Sequence, residues 1–430
     1  MIEPFRIGIA GLGIVGVGVV KILTKNKDII AQRAGREIEI VAVSARDKDA
    51  ERGIDVSAYQ WVDDTANIST IDGLDAVIEL IGGSKGIAAD VVRTSLGNKR
   101  HIVTANKALL THHGLELATT AEQNGVNLMY EAAVAGGIPI IKAMREGFAA
   151  NNFSAVYGIL NGTCNYILTK MQHTGLGFTE VLQEAQDLGY AEADPTFDVE
   201  GIDAAHKLCL LTSLAFGVKP DFDALKITGI SHINATDIKY AEEFGYRIKL
   251  LGIARRIDDK VLQVMEPCLV PSSSPIGKID GVYNAVYAHG DFVQTSLLIG
   301  KGAGEGPTAS AVVADIIDLA RGANIPTFGV PIDQLKDAKW IDIGETISRY
   351  YLRLMVTDQP GVIASVAAIL RDNDISIEGM VQSGRYPGQI VSVVLTSHEA
   401  RHANVQKAAQ AIEQLDVCSE KPCVMRIEEL

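Results

Sequence analysis

Cysteine is scarce in this chain, with five in 430 residues. Cys164, Cys209, Cys268, Cys418 and Cys423 are odd in number and show neither CxxC nor His-rich spacing. A disulfide framework is therefore not expected, and reduced thiols in a cytoplasm are the plain reading. Positive charge is also short: 39 Lys and Arg against 53 Asp and Glu leave a formal net charge of -14. That balance argues against a broad nucleic-acid or anionic-membrane surface, while still allowing a local basic pocket. The opening residues, MIEPFRIGIAGLG, lack a basic n-region, a long apolar stretch and a small-residue cleavage site, so no export signal is expected. Low-complexity segments are missing too. What is present is 47% hydrophobic residues, 21% charged residues and 41 glycines, the composition of a glycine-rich α/β enzyme acting on small molecules. At about 150 residues per domain, the length suggests roughly three domains.

Phe5 to Ala10 is apolar, Gly11-Leu12-Gly13-Ile14-Val15-Gly16 follows at once, and a helical pattern runs on to about Leu23. This spacing predicts strand, tight turn and helix, the setting in which GxGxxG cradles a pyrophosphate. Gly11 permits the turn, Gly13 lets the backbone approach the anion, Gly16 allows close helix-strand packing, and the amides of Ile14 and Val15 face the phosphate. Strands are expected at Ile38 to Ser44, Ala76 to Ile81 and Ile102 to Thr104, with a helix over Ile87 to Leu96. Strands alternating with helices imply a doubly wound parallel sheet of Rossmann type over residues 1–130, and with it an NAD(P)-dependent oxidoreductase. After the second strand comes Ser44-Ala45-Arg46-Asp47-Lys48, where an acidic residue would grip a ribose hydroxyl. Arg46, with Lys48, suits a 2′-phosphate, which favours NADP. NAD is the alternative, since Asp47 is also present and the cluster also reads as a solvated loop.

Beyond Tyr130 the pattern changes to strands at Phe153 to Leu160, Val261 to Val270, Asn284 to His289 and Phe292 to Ile299, mixed with helices, which predicts an α+β domain over 131–301. Its densest polar stretch holds Glu192, Asp198, Asp203 and Lys207. If a helix starts near Gly201, Asp203 and Lys207 lie four apart on one face, while Glu192 and Asp198 arrive from the preceding loop. Carboxylates around one lysine suit an amino-acid substrate: the acids hold the ammonium and the lysine moves a proton. The Asp203/Lys207 pair by itself equally reads as an ordinary surface ion pair. Lys107, just after the fourth expected strand, falls at the carboxyl end of the sheet, where ligands bind in α/β folds. His112, His113 and His206 lack metal-ligand spacing and read as structural.

The motifs GLGIVG, TANKALL, YEAAVAGGIPII, GILNGTCNYILTKM, LGYAEADPTFDVEGIDAAHKL and GAGEGPTASAVVAD occur in that order, and through residues 1 to about 350 the chain resembles the homoserine dehydrogenases. The resemblance implies NAD(P)H-dependent interconversion of L-aspartate 4-semialdehyde and L-homoserine, a step toward threonine and methionine. It makes Lys207 the proton donor and acceptor, Lys107 a second lysine near the nicotinamide, and Glu192, Asp198 and Asp203 substrate residues. It also makes Gly304 a later cofactor contact, in a return segment at 302–330. A monovalent cation, commonly sodium, is implied at Glu131, Val134, Gly136 and Ile138; read without the resemblance, that stretch is a glycine-rich hinge. A homodimer or homotetramer is expected.

Residues 331–350 read as a linker. From 351 to 430 the pattern predicts a strand Tyr351 to Val356, a helix to Leu370, a strand Ile375 to Gln382, a turn Arg385 to Gly388, a strand Ile390 to Thr396, a helix Ala400 to Leu415 and a strand near Val424. This βαββαβ order is ferredoxin-like and resembles an ACT domain, the module that commonly binds amino acids. The resemblance makes Asp358, Gly361, Val362 and Ile363 ligand candidates and threonine the natural effector. A structural dimerisation unit is the other reading, since a small sheet exposes a face and an edge. Three functions follow for testing: a homoserine dehydrogenase with a regulatory module, an inactive amino-acid sensor, or a dehydrogenase of another hydroxy or amino acid.

Overall fold

The computed structural model describes residues 3–382 and 388–430. The expected turn at Arg385 to Gly388 therefore lies, up to Pro387, outside the described residues. The chain divides into two compact units. One comprises Met1–Leu160, Ala205–Leu225 and Tyr283–Ala338, and the other Asn161–Ala204, Lys226–Val282 and Lys339–Leu430.

In the first unit, six parallel strands stand side by side in the order Gln60–Trp61, Ile38–Ser44, Phe5–Ala10, Ala76–Glu79, His101–Thr104 and Leu128–Met129. The order reverses between Phe5–Ala10 and Ala76–Glu79, the switch point where open α/β sheets bind ligands. Strands of such a sheet are covered on both faces, so Ala76–Glu79 is buried throughout, its glutamate included. The strand expected to reach Ile81 stops at Glu79, because that side chain turns back to accept the amides of Ile81 and Gly82 at 2.7 and 3.0 Å. The return segment supplies the helix Glu305–Ala320, which joins Val19, Val20 and Leu23 in one apolar core. Outside the parallel sheet, Tyr283–Gly290 pairs antiparallel with both Phe153–Ile159 and Gln294–Lys301.

The second unit is built on a long hairpin, Tyr246–Ile257 and Lys260–Pro271, closed by two residues of which Asp258 is left-handed at φ 55°. Periodicity missed its first strand because charged residues stand at Lys249, Arg255 and Arg256. Lys249 is 1% exposed and satisfied by Asn165 Oδ1 at 3.1 Å and the Ile279 carbonyl at 2.5 Å. Burial pushes its ammonium down to about 8, against the opposing pull of Asp280. Between that value and the ordinary 10.5, the unfolded chain binds a proton that the folded chain has shed, so this group makes stability rise with pH. Relative to Lys249→Met, the native protein should gain on the order of 3 kcal/mol across that window in urea titrations. A stability difference that stays constant with pH would contradict this.

Cys423–Ile427 runs parallel to Lys260–Pro271 and antiparallel to Ile347–Thr357, and the sheet continues through Ile390–Ser397 to Ile377–Gln382. With helices Val362–Asp372 and His402–Glu413, this is the βαββαβ module. Leu352, Leu354, Val366, Leu370, Val393, Leu395, Val405 and Ile412 form its core. The stretch 331–350 departs from a plain linker. It holds a strand, Lys339–Trp340, paired with Lys260–Pro271, and the module's first strand already starts at Ile347.

Candidate functional site

In the first unit the three glycines of the turn are needed for three different reasons. Gly11 has φ 108°, and a Cβ there would stand 2.6 Å from the Leu80 carbonyl oxygen. A Cβ on Gly16 would collide with the Gly11 carbonyl, whereas one on Gly13 would meet nothing within 4 Å. The Val17 amide closes the first helical bond, to Gly13 O at 2.9 Å. The amides before it, those of Ile14 and Val15 included, are the donors a helix start offers to an anion. A dinucleotide pyrophosphate fits this cradle. Gly13→Ala should therefore leave the melting temperature within a degree or two and raise the cofactor KM several-fold. Gly16→Ala should lower the melting temperature itself. Calorimetry and steady-state kinetics on the two variants check this, and identical behaviour of the pair would refute it.

Arg46 and Lys48 are exposed in the loop after Ile38–Ser44. A nearby arginine, not singled out in the sequence, organises that loop. Arg52 donates to the carbonyls of Ala50 at 2.8 Å, Leu12 at 3.3 Å and Asp47, and lies 5.7 Å over the Trp61 ring. It thus ties the basic loop to the glycine turn. Gly304, at φ 117°, stands at the N-cap of Glu305–Ala320 in a conformation that side chains other than glycine rarely adopt.

Lys107 is the first residue of helix Lys107–Gln123, and a buried polar chain sets its position. Asn106 caps the helix by accepting the Leu109 amide at 3.1 Å and donates to the Gly83 carbonyl at 2.7 Å. Its own amide donates to Thr104 Oγ1 at 2.9 Å, and Thr104 donates to Glu79 at 2.6 Å. Lys207 is 8% exposed, with Nζ donating to the Leu160 carbonyl at 2.7 Å. Thr111 links the two lysine-bearing helices, donating to the carbonyls of Lys107 at 2.7 Å and His206 at 3.3 Å. His206 stacks on Phe222 with ring centroids 4.4 Å apart.

Asp203 and Lys207 do lie four apart on one helix, Ile202–Phe216. In the second unit Asn161 gathers the acids: its Nδ2 donates to Asp198 Oδ1 at 2.8 Å and to Asp203 Oδ2 at 3.0 Å. Its Oδ1 meanwhile caps the next helix at the Cys164 amide, 2.8 Å away. The sequence reading missed this residue, although an Asn ahead of a helical run is a cap signal. Asp198 is not in a loop as expected. It sits in a one-turn helix, Thr196–Val199, which Pro195 opens with its fixed φ. Glu192 is exposed, its backbone carbonyl accepting from Gln186 at 3.0 Å. Its carboxylate makes no hydrogen bond to Asp198 or Asp203 among the described residues.

Glu131, back in the first unit, is 2% exposed and accepts the amides of Ile141 and Lys142 at 3.0 and 2.8 Å. Burial, then the charge of Asp315, pushes its carboxyl up to about 8. The Ile138 carbonyl accepts from Ile140 at 2.7 Å, Val134 is buried, and a Cβ on Gly136 would press on the Gly302 carbonyl. No cluster of three His, Cys, Asp or Glu side chains suited to a metal occurs among the described residues. The oxygens of Glu131 and the Ile138 carbonyl are of the kind a hard cation takes, and each already accepts a backbone amide. Of the module's candidates, Gly361 caps Val362–Asp372 at φ 96°. Val362 is buried in the module's core and Ile363 packs against it. Asp358 exchanges backbone bonds with residues 388 and 389.

Residues 139–317 match the homoserine dehydrogenase family, residues 11–131 its NAD-binding domain and residues 350–417 the ACT domain. The chain is 44% identical to the homoserine dehydrogenase of Neisseria gonorrhoeae over 435 aligned positions, covering 100% of this chain and 99% of the relative. A crystal structure of a homoserine dehydrogenase from Thiobacillus denitrificans superposes with a TM-score of 0.93 at 43% identity, covering 99% of both chains. A hyperthermophilic archaeal homoserine dehydrogenase, solved in complex with NADPH, shares the fold at a TM-score of 0.63 and 23% identity, covering 75% of this chain and 100% of that one. With a nucleotide cradle, two lysines on helices joined at Thr111 and full-length relatives, the chain belongs to the homoserine dehydrogenases, NAD(P)-dependent oxidoreductases, and carries an ACT domain.

Proposed function

We propose that the chain interconverts L-aspartate 4-semialdehyde and L-homoserine, in the supply of threonine and methionine, with Lys207 as the proton-transfer group. The buried Lys207 ammonium, held by the Leu160 carbonyl one helical turn after Asp203, carries this reading. NADPH, when bound, supplies the hydride. The Gly11 to Gly16 turn and Gly304 hold it, Lys107 stands beside the nicotinamide, and Arg46 with Lys48 takes the 2′-phosphate in preference to NAD. Asp198 and Asp203, aligned by Asn161, receive the substrate ammonium, with Glu192 at the rim. As the aldehyde carbon is reduced, Lys207 donates a proton to the developing alkoxide. In the oxidative direction the neutral amine takes the hydroxyl proton.

Glu131 and the carbonyls of Val134, Gly136 and Ile138 would hold a sodium ion, which would order that segment. The buried carboxylate of Glu131 supports a cation there. Threonine acts through the ACT domain at Asp358, Gly361, Val362 and Ile363, and the working form is a homodimer or homotetramer. No helix among the described residues is long and apolar enough to cross a membrane.

Initial rates of L-homoserine oxidation with NADP and NAD in parallel test the reading, with a panel of other hydroxy and amino acids alongside. Activity on homoserine with the lower KM for NADP is expected. Turnover of another alcohol but not homoserine refutes the substrate, and no turnover of any compound favours the inactive sensor.

A further inference from the structure

Glu79, the last residue of strand Ala76–Glu79 in the first unit, is 0% exposed. Its Oε1 accepts the amides of Ile81 and Gly82, and its Oε2 accepts the Thr104 hydroxyl. All three donors are neutral, and a carboxylate buried among neutral groups is costly unless its oxygens are satisfied. The bonds that satisfy it form a closed ring. Thr104 Oγ1 accepts the Asn106 amide, and Asn106 Nδ2 donates to the carbonyl of Gly83, the residue after Gly82. The ring ties the loop Ile81–Gly83, which follows one strand, to the helix start at Lys107, which follows the next.

On its other side the loop abuts the nucleotide cradle. The Leu80 amide donates to the Ala10 carbonyl at 2.8 Å, and Leu80 and Gly11 leave no room between them for a Cβ. Gly82 and Gly83 are both left-handed, at φ 87° and 86°, and a Cβ on either would meet nothing within 4 Å. The loop therefore presents bare main chain to open space at the carboxyl end of the sheet, where α/β folds bind ligands. Glycine is also the residue that loses most freedom when one conformation is imposed. Two in succession need an anchor, and the bonds from Gly82 to Glu79 and from Asn106 to Gly83 supply it. A dinucleotide runs from pyrophosphate through ribose to nicotinamide. The Gly11 turn suits the first of these and Lys107, on the reading given above, stands beside the last, which leaves the loop between them for the ribose.

We propose that Glu79 is a positioning residue for the nicotinamide half of the dinucleotide: it locks the Gly82–Gly83 main chain and the start of the Lys107 helix into one frame that would hold the nicotinamide-bearing ribose. The inference rests on the placement of Lys107 beside the nicotinamide. It does not depend on Lys207 or on the identity of the substrate.

Titration of the full chain with NADPH, followed by nicotinamide fluorescence, and with adenosine 2′,5′-bisphosphate, which lacks the nicotinamide half, tests it, with NADH and ADP run alongside. Glu79→Ala should weaken the dinucleotide about tenfold and leave the adenosine fragment within about twofold of native. Glu79→Gln should restore dinucleotide binding to within about threefold, because its carbonyl oxygen still accepts the two amides while its NH2 donates to Thr104. Thr104→Val is nearly isosteric and opens the ring at the hydroxyl. It should weaken the dinucleotide about fivefold with the fragment again unchanged, and it decides the matter if Glu79→Ala does not fold. A merely structural role would lower the melting temperature and weaken both ligands together. Equal weakening of dinucleotide and fragment in the folded variants, or weakening of neither, overturns the proposal. Lys107→Met separates it from the reading beneath it: unchanged NADPH affinity and nicotinamide emission in that variant would overturn the placement of Lys107, and the proposal with it.

Discussion

Replacing Lys207 by methionine should lower kcat for homoserine oxidation about a thousandfold, within the range that one general acid-base group contributes. Methionine keeps most of the unbranched stem and removes the donor. Substrate KM should change much less, since Asp198 and Asp203 remain aligned by Asn161. Leaving the Leu160 carbonyl without its 2.7 Å partner carries a stability cost of about 1 to 3 kcal/mol, so melting temperature must be measured on the same sample. Lys207→Arg is the sharper control. It retains a positive charge and a donor but cannot shed its proton near neutral pH, so proton transfer should fail in a site that still holds substrate. If either folded variant keeps more than a tenth of native kcat, Lys207 is not the proton-transfer group and the proposed mechanism falls.

Asp237→Ala should be the most damaging single change to stability, at about 3 to 5 kcal/mol. Asp237 is fully buried at the start of helix Ala235–Glu243. It accepts from Arg353 Nε at 2.7 Å, from the Tyr351 hydroxyl at 3.0 Å and from the Asn234 amide at 3.0 Å. Its removal strands a buried guanidinium, a phenol and a helix cap together. The loss is large because the remaining charge is uncompensated, which predicts its own partial rescue: Asp237→Ala with Arg353→Met should recover part of the stability. Urea denaturation of the single and double variants measures both quantities. A single-variant loss below about 1 kcal/mol, or a double variant no better than the single, would show that the pair does not join helix to sheet as described.

Local elements were legible wherever one short-range rule dominated. Phe5–Ala10 and Ile38–Ser44 occur within the residues expected, because the first is buried at all but Arg6 and the second over Ala42 to Ser44, which leaves short, mostly apolar runs ahead of turn residues. The glycine turn was readable because steric exclusion acts between residues five apart, as between Gly11 and Gly16. The strand Tyr246–Ile257 was not readable. Its lysine is buried among acceptors from Asn165 and Ile279, which no window of neighbours contains. The linker reading of 331–350 failed for a related reason: two residues, Lys339 and Trp340, become a strand only because Lys260–Pro271 presents an edge to them.

The candidate site divides in the same way. Lys207 and Asp203 stood four apart on an apolar helix in the bare sequence, as helical geometry requires. Lys107 followed a strand, and both lysines could be named before any fold was known. The chain order alone did not say that one carboxamide, Asn161, would hold Asp198 and Asp203 from about forty positions away. Nor did it reveal that Glu79, Thr104 and Asn106 would connect in series beneath Lys107. Chemistry-bearing residue types and their local spacing were determined by the sequence itself, since covalent geometry fixes what lies within one turn. Which buried polar groups find each other was decided only by tertiary structure. Those pairings depend on which distant segments exclude water together.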